Sequence, residues 1–246
     1  MNVIPIREET TRPASTGPAA VRLERVSRLY GSFVALREVS LALPTGSSVV
    51  LLGENGAGKS TVLKLVSGLT NPTYGRLTVF GTHPQQQRGR IGTMGHAPML
   101  YDELTGMENL TYFAQLHGFG STRTELESVA ANALLDVGLE PNLTRRVSEY
   151  SQGMRQRASL ARVLMAAPPL LLLDEPFSNL DVGSAHSMVE RLLAYLSQPG
   201  ADGTYRTLLM TTHQAELARP LARTTITLSA GRIASIQGDT AVEATS

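Results

Sequence analysis

The sequence predicts an α/β fold with a mixed, mainly parallel sheet at its core, an antiparallel β subdomain at the N-terminus and an inserted helical subdomain. A glycine-rich loop joins the apolar run 48–52 to the helical pattern 62–66, in the strand, loop and helix order of such cores. The run 170–173 is apolar at every position, as in a strand covered on both faces of a parallel sheet. Residues from about 97 to 167 show helical periodicity without a strand pattern.

The N-terminal strands alternate between apolar and polar residues. Residues 21–26 and 40–43 both show this period of two, and the turn 44–46 ends the second strand, as expected for half-buried strands. Between them Tyr30 stands next to Gly31. An aromatic ring here either stacks on a nucleobase or caps the core as a strand-end tyrosine, and the local sequence favours neither.

The loop after the run 48–52 has the composition of a phosphate-binding loop, which predicts a P-loop NTPase core. Gly56 and Gly58 permit positive φ angles and carry no Cβ, so successive backbone N–H groups can converge on phosphate oxygens at the start of a helix. Lys59 can reach the β- and γ-phosphates, and the Ser60 hydroxyl suits Mg²⁺. The alternative is an ordinary glycine-rich turn. The expected nucleotide-binding residues are Gly53, Asn55, Gly56, Ala57, Gly58, Lys59, Ser60 and Thr61.

The middle of the chain predicts two short strands followed by three helices. The second helix starts at Thr122, with Glu125 three residues later as the partner of a capping box. Three helices without an intervening strand indicate a helical subdomain, about 97–167, inserted in the α/β core. The elements are strands 75–81 and 91–94 and helices 107–117, 122–134 and 151–165.

Polar residues follow the ends of two later strands. Asp174 and Glu175 come directly after the run 170–173, and His213 follows the strand 208–212. Because open α/β sheets bind ligands beyond the carboxyl ends of their strands, we expect these residues and the phosphate-binding loop to meet in one crevice. The other predicted elements of this region are the helix 184–196 and the hairpin strands 225–228 and 232–236.

Each of these polar residues suits one part of phosphoryl chemistry. Asp174 can hold Mg²⁺ through its water shell. Glu175 must point another way, and suits the role of a general base or of a group that orients an attacking water. His213 can donate a hydrogen bond to the γ-phosphate, and the alternative is a strand-end histidine satisfied by the backbone.

The amino-acid composition argues against several classes of protein. Lys and Arg total 22 against 21 Asp and Glu, so no nucleic-acid partner is expected. Without cysteine there is neither a disulfide framework nor a thiolate metal site. The longest apolar run, 163–173, is shorter than the ~20 residues that cross a bilayer, so any membrane role should be peripheral. Residues 1–20 and 241–246 are interpreted as tails of one domain, 21–240, the first of them flexible and without a secretory leader.

The motifs together resemble the ATP-binding cassette (ABC) ATPases over about residues 21–236. The phosphate-binding loop resembles the Walker A segment of that family. Residues 150–157 resemble its signature segment, 170–176 its Walker B segment, 178–181 its D-loop, and His213 its switch histidine.

This resemblance implies an ATPase with ATP and Mg²⁺ as ligands. Lys59, Glu175 and His213 correspond to catalytic residues of the family, and Ser60 and Asp174 to its Mg²⁺ residues. The resemblance also favours adenine stacking for the tyrosine at position 30.

The same resemblance implies two kinds of protein partner. In a head-to-tail dimer, Ser151 and Gly153 of one subunit would close the ATP bound by the other, although Ser151 also suits an ordinary helix N-cap. A separate transmembrane permease would hold the dimer peripherally at the cytoplasmic face of the cell membrane.

The chain departs from the family pattern at the signature and at the Q-loop. Gln152 and Met154 stand where the family has glycine and glutamine, and His96 stands in place of the Q-loop glutamine, where it can still donate to water or a metal shell. Residues 95–98, 103–105 and 108–110 and the signature segment 150–157 are similar to the haem-exporter ATPase of cytochrome c maturation.

The signature also resembles the branches that export drugs or polysaccharide. We therefore expect an exporter ATPase, with haem as one candidate cargo. The alternatives are a cassette ATPase that acts on nucleic acid or ribosomes and a regulatory module that binds ATP without turnover.

Overall fold

The structure is a computed structural model that describes residues 18–95, 97–200 and 202–238. Residues 1–17 and 239–246, which hold most of the two predicted tails, lie outside the described residues, and so does His96. The first strand begins at Ala19, two residues before the predicted start of the domain. The division of the chain into tails, core and inserted helical subdomain stays a prediction.

The described residues form nine strands, six α-helices and two short 3₁₀ helices. The strands are β1 (Ala19–Tyr30), β2 (Phe33–Pro44), β3 (Ser48–Leu52), β4 (Tyr74–Val79), β5 (Ile91–Met94), β6 (Leu170–Asp174), β7 (Thr207–Thr211), β8 (Thr224–Ser229) and β9 (Arg232–Gly238). The α-helices are α1 (Lys59–Val66), α2 (Gly106–His117), α3 (Arg123–Asp136), α4 (Gln152–Leu164), α5 (Val182–Ser197) and α6 (Ala215–Ala218), and the 3₁₀ helices are Pro84–Arg90 and Val147–Glu149.

Two sheets confirm the predicted fold class. The larger sheet has the order β5-β6-β7-β3-β8-β9, and its first five strands are parallel while β9 returns antiparallel to β8. The smaller sheet, with the order β2-β1-β4, is antiparallel throughout. The core is therefore a mixed, mainly parallel sheet with an antiparallel sheet at the N-terminus.

Both faces of the parallel sheet are buried, which explains the uninterrupted apolar strands. Leu171 and Leu173 of β6 pack into one hydrophobic cluster with residues of helices α2 to α5. Leu170 and Leu172 pack into a second cluster with α1 and the antiparallel sheet. Alternate residues of a strand point to opposite faces, so a strand covered on both sides needs apolar side chains at every position.

Three consecutive helices occupy the chain between β5 and β6. Capping boxes begin α2, at Thr105 and Glu108, and α3, at Thr122 and Glu125, the second of which the sequence predicted. Each box satisfies two backbone donors that a helix start otherwise leaves free. Among the described residues, no helix combines the length and the apolar character needed to cross a membrane.

Sheet order brings the polar strand ends together. Strand β7 lies between β6 and β3, and the three strands are parallel. The residues after β3, β6 and β7 therefore emerge at one edge of the sheet. These are the phosphate-binding loop, the pair Asp174 and Glu175, and the segment that leads to His213.

Candidate active site

The phosphate-binding loop runs from β3 to the start of α1, and two of its glycines are required for different reasons. Gly56 has φ +83° and open space where a Cβ would lie, so only its backbone conformation excludes other residues. Gly58 has φ +104°, and a Cβ there would lie 2.6 Å from Leu36 Cδ2 and 2.7 Å from the Ala35 carbonyl oxygen. The loop thus packs closely against β2 at the point where α1 begins.

Lys59 lies folded across this loop. Its ammonium donates to the carbonyl oxygens of Gly53, at 2.7 Å, and Glu54, at 3.1 Å, and the residue is only 7 % exposed. A buried cation favours an anionic partner, since the charge is poorly solvated there. The α1 N-terminus adds its own partial positive charge, so the loop is suited to bind a phosphate group.

A hydroxyl and a carboxylate meet beside the loop. Ser60 Oγ lies 3.1 Å from Asp174 Oδ1, which joins the start of α1 to the end of β6. Both atoms are hard oxygen ligands of the kind that Mg²⁺ prefers, and Mg²⁺ usually takes only one or two protein ligands and completes its octahedron with waters and phosphate oxygens. The two residues therefore fit such an ion.

Thr211 anchors the two acidic residues, and the sequence analysis did not identify it. Its hydroxyl, fully buried at the end of β7, donates to Asp174 Oδ1 at 2.6 Å and accepts from the Glu175 N–H at 3.1 Å. Glu175 has φ +52°, an unfavourable conformation for a non-glycine residue. The only available signal was a hydroxyl residue at the end of a strand whose three central residues are apolar.

Glu175 and His213 form a pair. His213 Nδ1 lies 2.8 Å from Glu175 Oε2, and the His213 backbone N–H also donates to that oxygen at 3.2 Å. A carboxylate only accepts, so Nδ1 carries the hydrogen, and Nε2 can donate only when the ring is protonated. The Glu175 side chain is 19 % exposed and that of His213 is 61 % exposed, so the histidine lies on the outer side of the pair.

A cavity of about 220 Å³ lies over the phosphate-binding loop. It is lined by Phe33 and Ala35 of β2, loop residues 55–61 and Glu175. Tyr30 is not among the lining residues, and the guanidinium carbon of Arg28 lies 4.5 Å from the centre of its ring. Phe33 is the second residue of the site that the sequence analysis did not identify, although its aromatic side chain close to the loop was a usable signal.

Ser151 and Gly153 lie at the start of α4, and their described contacts are with α4 and α5 rather than with the loop. Ser151 is the N-cap residue, and its Oγ accepts from the Met154 N–H at 3.2 Å. A Cβ on Gly153 would lie 2.8 Å from Ser184 Oγ. Within one chain the signature segment is thus separate from the other predicted residues.

The chain is similar to ATP-binding proteins of transport systems. A family model described as "ABC transporter" matches residues 36–178. The Nod factor export ATP-binding protein I of Rhizobium johnstonii is 36% identical over 222 residues, which cover 89% of this chain and 69% of that protein. The ABC transporter ATP-binding protein NatA of Bacillus subtilis is 34% identical over 204 residues, which cover 81% and 80%.

Solved structures agree with this likeness. A dimeric ATP-binding cassette in a post-hydrolysis state, bound to ADP and Pi, superposes with a TM-score of 0.79 at 26% identity, and the match covers 89% of this chain and 98% of that one. The residues that the family model spans include the phosphate-binding loop and the strand that ends at Asp174.

Proposed function

This chain belongs to the ABC transporter family of ATP-binding proteins, and on that premise we propose that it is the nucleotide-binding subunit that powers an exporter. The family couples ATP hydrolysis to transport. The observation that carries the proposal is the convergence of Ser60, Asp174, Glu175 and His213 at the end of three neighbouring strands.

ATP binding uses the loop and its two neighbours. The backbone N–H groups of residues 55–61 hold the phosphates, and the Lys59 ammonium exchanges its carbonyl partners for β- and γ-phosphate oxygens. Ser60 and Asp174 would hold Mg²⁺, which would supply positive charge beside the phosphate oxygens. Tyr30 stacks on adenine with the face that Arg28 leaves free.

Hydrolysis needs a water in line with the bond between the γ-phosphorus and the bridging oxygen. Glu175 accepts the proton of that water as its oxygen attacks, and the bridging oxygen leaves with ADP. The His213 ring holds Glu175 through Nδ1, which leaves Nε2 for the γ-phosphate. A ring that carries hydrogens on both nitrogens donates from Nε2 to this phosphate while Nδ1 donates to Glu175.

A second copy of the chain completes the site. The Ser151 hydroxyl and the N-terminus of α4 are separate from the loop of their own chain, and a helix N-terminus attracts anions. In a head-to-tail dimer they close on the γ-phosphate of the partner. The dimeric cassette described above supports this arrangement.

An apolar surface beside the inserted helices supports a permease partner. Met99, Tyr101, Tyr112, Leu116 and Phe119 are large, apolar and exposed, and the rings of Tyr101 and Tyr112 contact each other edge to face with centres 5.4 Å apart. Exposed clusters of this kind mark protein contact sites. A transmembrane permease bound here would place the subunit at the cytoplasmic face of the membrane.

Replacing Glu175 by glutamine tests the proposal. The variant keeps the shape of the side chain but accepts no proton, so we expect turnover to fall about 100-fold or more while Mg-ATP drives the protein into a stable dimer. Size-exclusion chromatography with light scattering measures the dimer, and phosphate release measures turnover. The control is Glu140→Gln, at an exposed carboxylate, which should behave as wild type. Wild-type turnover of the Glu175 variant would contradict the role of Glu175.

Haem is a cargo proposed only from the resemblance of residues 95–98, 103–105, 108–110 and the signature segment 150–157 to the haem-exporter ATPase. The relatives described above are named for Nod factor export and NatA, so their names support export without supporting haem. Purified with its permease, the complex should show haem-stimulated ATP hydrolysis if haem is the cargo. An unchanged rate with haem would remove this candidate.

A further inference from the structure

Phe33 is an exposed aromatic residue that does not belong to the hydrophobic core. It begins β2 and pairs with Tyr30 at the end of β1, across a two-residue turn. The two residues are 59 % and 42 % exposed. Residues directly opposite in an antiparallel pair lie on the same face, with their Cβ atoms close together, so the hairpin presents two aromatic side chains side by side.

Phe33 also faces the phosphate-binding loop. It lines the cavity over the loop together with Ala35, so both residues border the space above the loop. The Ala35 carbonyl lies directly against Gly58. The hairpin is therefore in contact with the loop through β2, and Phe33 lies two residues before Ala35 in that strand.

The arrangement of the polar residues sets the direction of a bound nucleotide. Ser60 contacts Asp174 at the end of β6, and Glu175 lines the same cavity, so the phosphate that reacts belongs at this border. The nucleoside then belongs toward the other border, which β2 forms. A cavity of about 220 Å³ is smaller than the ~300–1,000 Å³ of ordinary ligand pockets, so the nucleoside extends out over the hairpin.

We propose that Phe33 is a second aromatic contact for the base and ribose of the bound nucleotide, so that Tyr30 and Phe33 hold the nucleoside together. The inference rests on the nucleotide site proposed above. Arg28 occupies one side of the Tyr30 ring, whereas Phe33 offers an exposed ring in the lining of the cavity itself. Aromatic faces bind bases without reading their edges, so this contact raises affinity for nucleotides in general.

Two ligands separate the nucleoside contact from the phosphate contacts. Mg-ATP has both parts, and inorganic tripolyphosphate has only the phosphates. Phe33→Ala should bind Mg-ATP about five-fold more weakly or worse, with unchanged affinity for tripolyphosphate. Phe33→Leu keeps an apolar side chain of similar size but has no aromatic ring, and it should show the same selective loss of Mg-ATP affinity. This second variant covers the case in which the alanine variant fails to fold.

A fluorescent reporter tests the contact directly because the chain has no tryptophan. Mg-ATP should change the emission of Phe33→Trp, and tripolyphosphate should not. The matched control is Tyr74→Trp, at a 66 % exposed aromatic residue of the same antiparallel sheet, whose emission neither ligand should change.

The outcomes distinguish this inference from the function on which it rests. Equal Mg-ATP affinity in wild type and both Phe33 variants would overturn the inference and leave the nucleotide site standing. Equal losses for Mg-ATP and tripolyphosphate would also overturn it, since the defect would then lie in the loop. A wild-type chain that binds neither ligand would overturn both proposals.

Discussion

Replacing Thr211 by valine tests how the acidic pair is held. Valine has nearly the shape of threonine and suits a strand equally well, so the change removes the hydroxyl and little else. Two hydrogen bonds are lost: the one donated to Asp174 Oδ1 at 2.6 Å and the one accepted from the Glu175 N–H at 3.1 Å. The second loss is partial, because the Thr211 carbonyl oxygen also accepts from that N–H at 3.1 Å.

The expected loss of stability follows from the hydrogen bond between the Thr211 hydroxyl and the Asp174 carboxylate. A hydrogen bond to an ionised group contributes about 1.5–3 kcal/mol, and Thr211 is fully buried, so water cannot take the place of its hydroxyl. We expect the free energy of unfolding to fall by about 2 kcal/mol. Turnover should fall as well, since Asp174 and Glu175 lose the group that sets their spacing.

Denaturant unfolding and phosphate release measure the two effects. Thr211→Ser keeps the hydroxyl and is the control, so it should retain most of the turnover. If Thr211→Val matched wild type in both stability, within about 0.5 kcal/mol, and turnover, Thr211 would not be an anchor of the site.

Three further predictions concern the start of α4 and the cap of α2. Gly153→Ala puts a Cβ 2.8 Å from Ser184 Oγ, so turnover should fall while ATP binding by the single subunit persists, and adding Ser184→Gly should restore part of the turnover. Thr105→Ala removes the N-cap of α2 and should lower the free energy of unfolding by about 1 kcal/mol, measured with denaturant. The hydrogen bond from the Thr105 N–H lowers the pKa of the Glu108 carboxylate below its ordinary 4.5. The ionised carboxylate therefore stabilises the folded protein fully above pH 4.5, and this stabilisation is lost as the pH falls through the lowered pKa. The difference in melting temperature between wild type and Glu108→Gln should therefore shrink in acid.

Local patterns in the sequence were sufficient to predict most of the strands and helices. The apolar run 170–173 and the alternation of 21–26 depend only on which faces of a strand are covered, and both strands occur as predicted. The capping box of Thr122 and Glu125 lies within four residues and is present. Such features depend on neighbours along the chain, which a sequence shows directly.

The residues that were missed act across long separations. Thr211 contacts residues 36 and 37 positions away, and nothing in a single strand shows which strand will lie beside it. Phe33 was overlooked because the turn residue Tyr30 already accounted for an aromatic group near the loop. Only the register of β1 with β2 shows that the two rings face the same way.

The two halves of the proposed shared site are joined within one chain. After Glu175 the backbone turns tightly, with the Ser178 N–H and hydroxyl both donating to the Glu175 carbonyl oxygen. Asp181 then caps α5 by accepting from the N–H and the hydroxyl of Ser184, and that hydroxyl lies 2.8 Å from the position that a Cβ on Gly153 would take. One short turn and one helix cap therefore connect Glu175 to the start of α4, which the proposed dimer places against the partner's ATP.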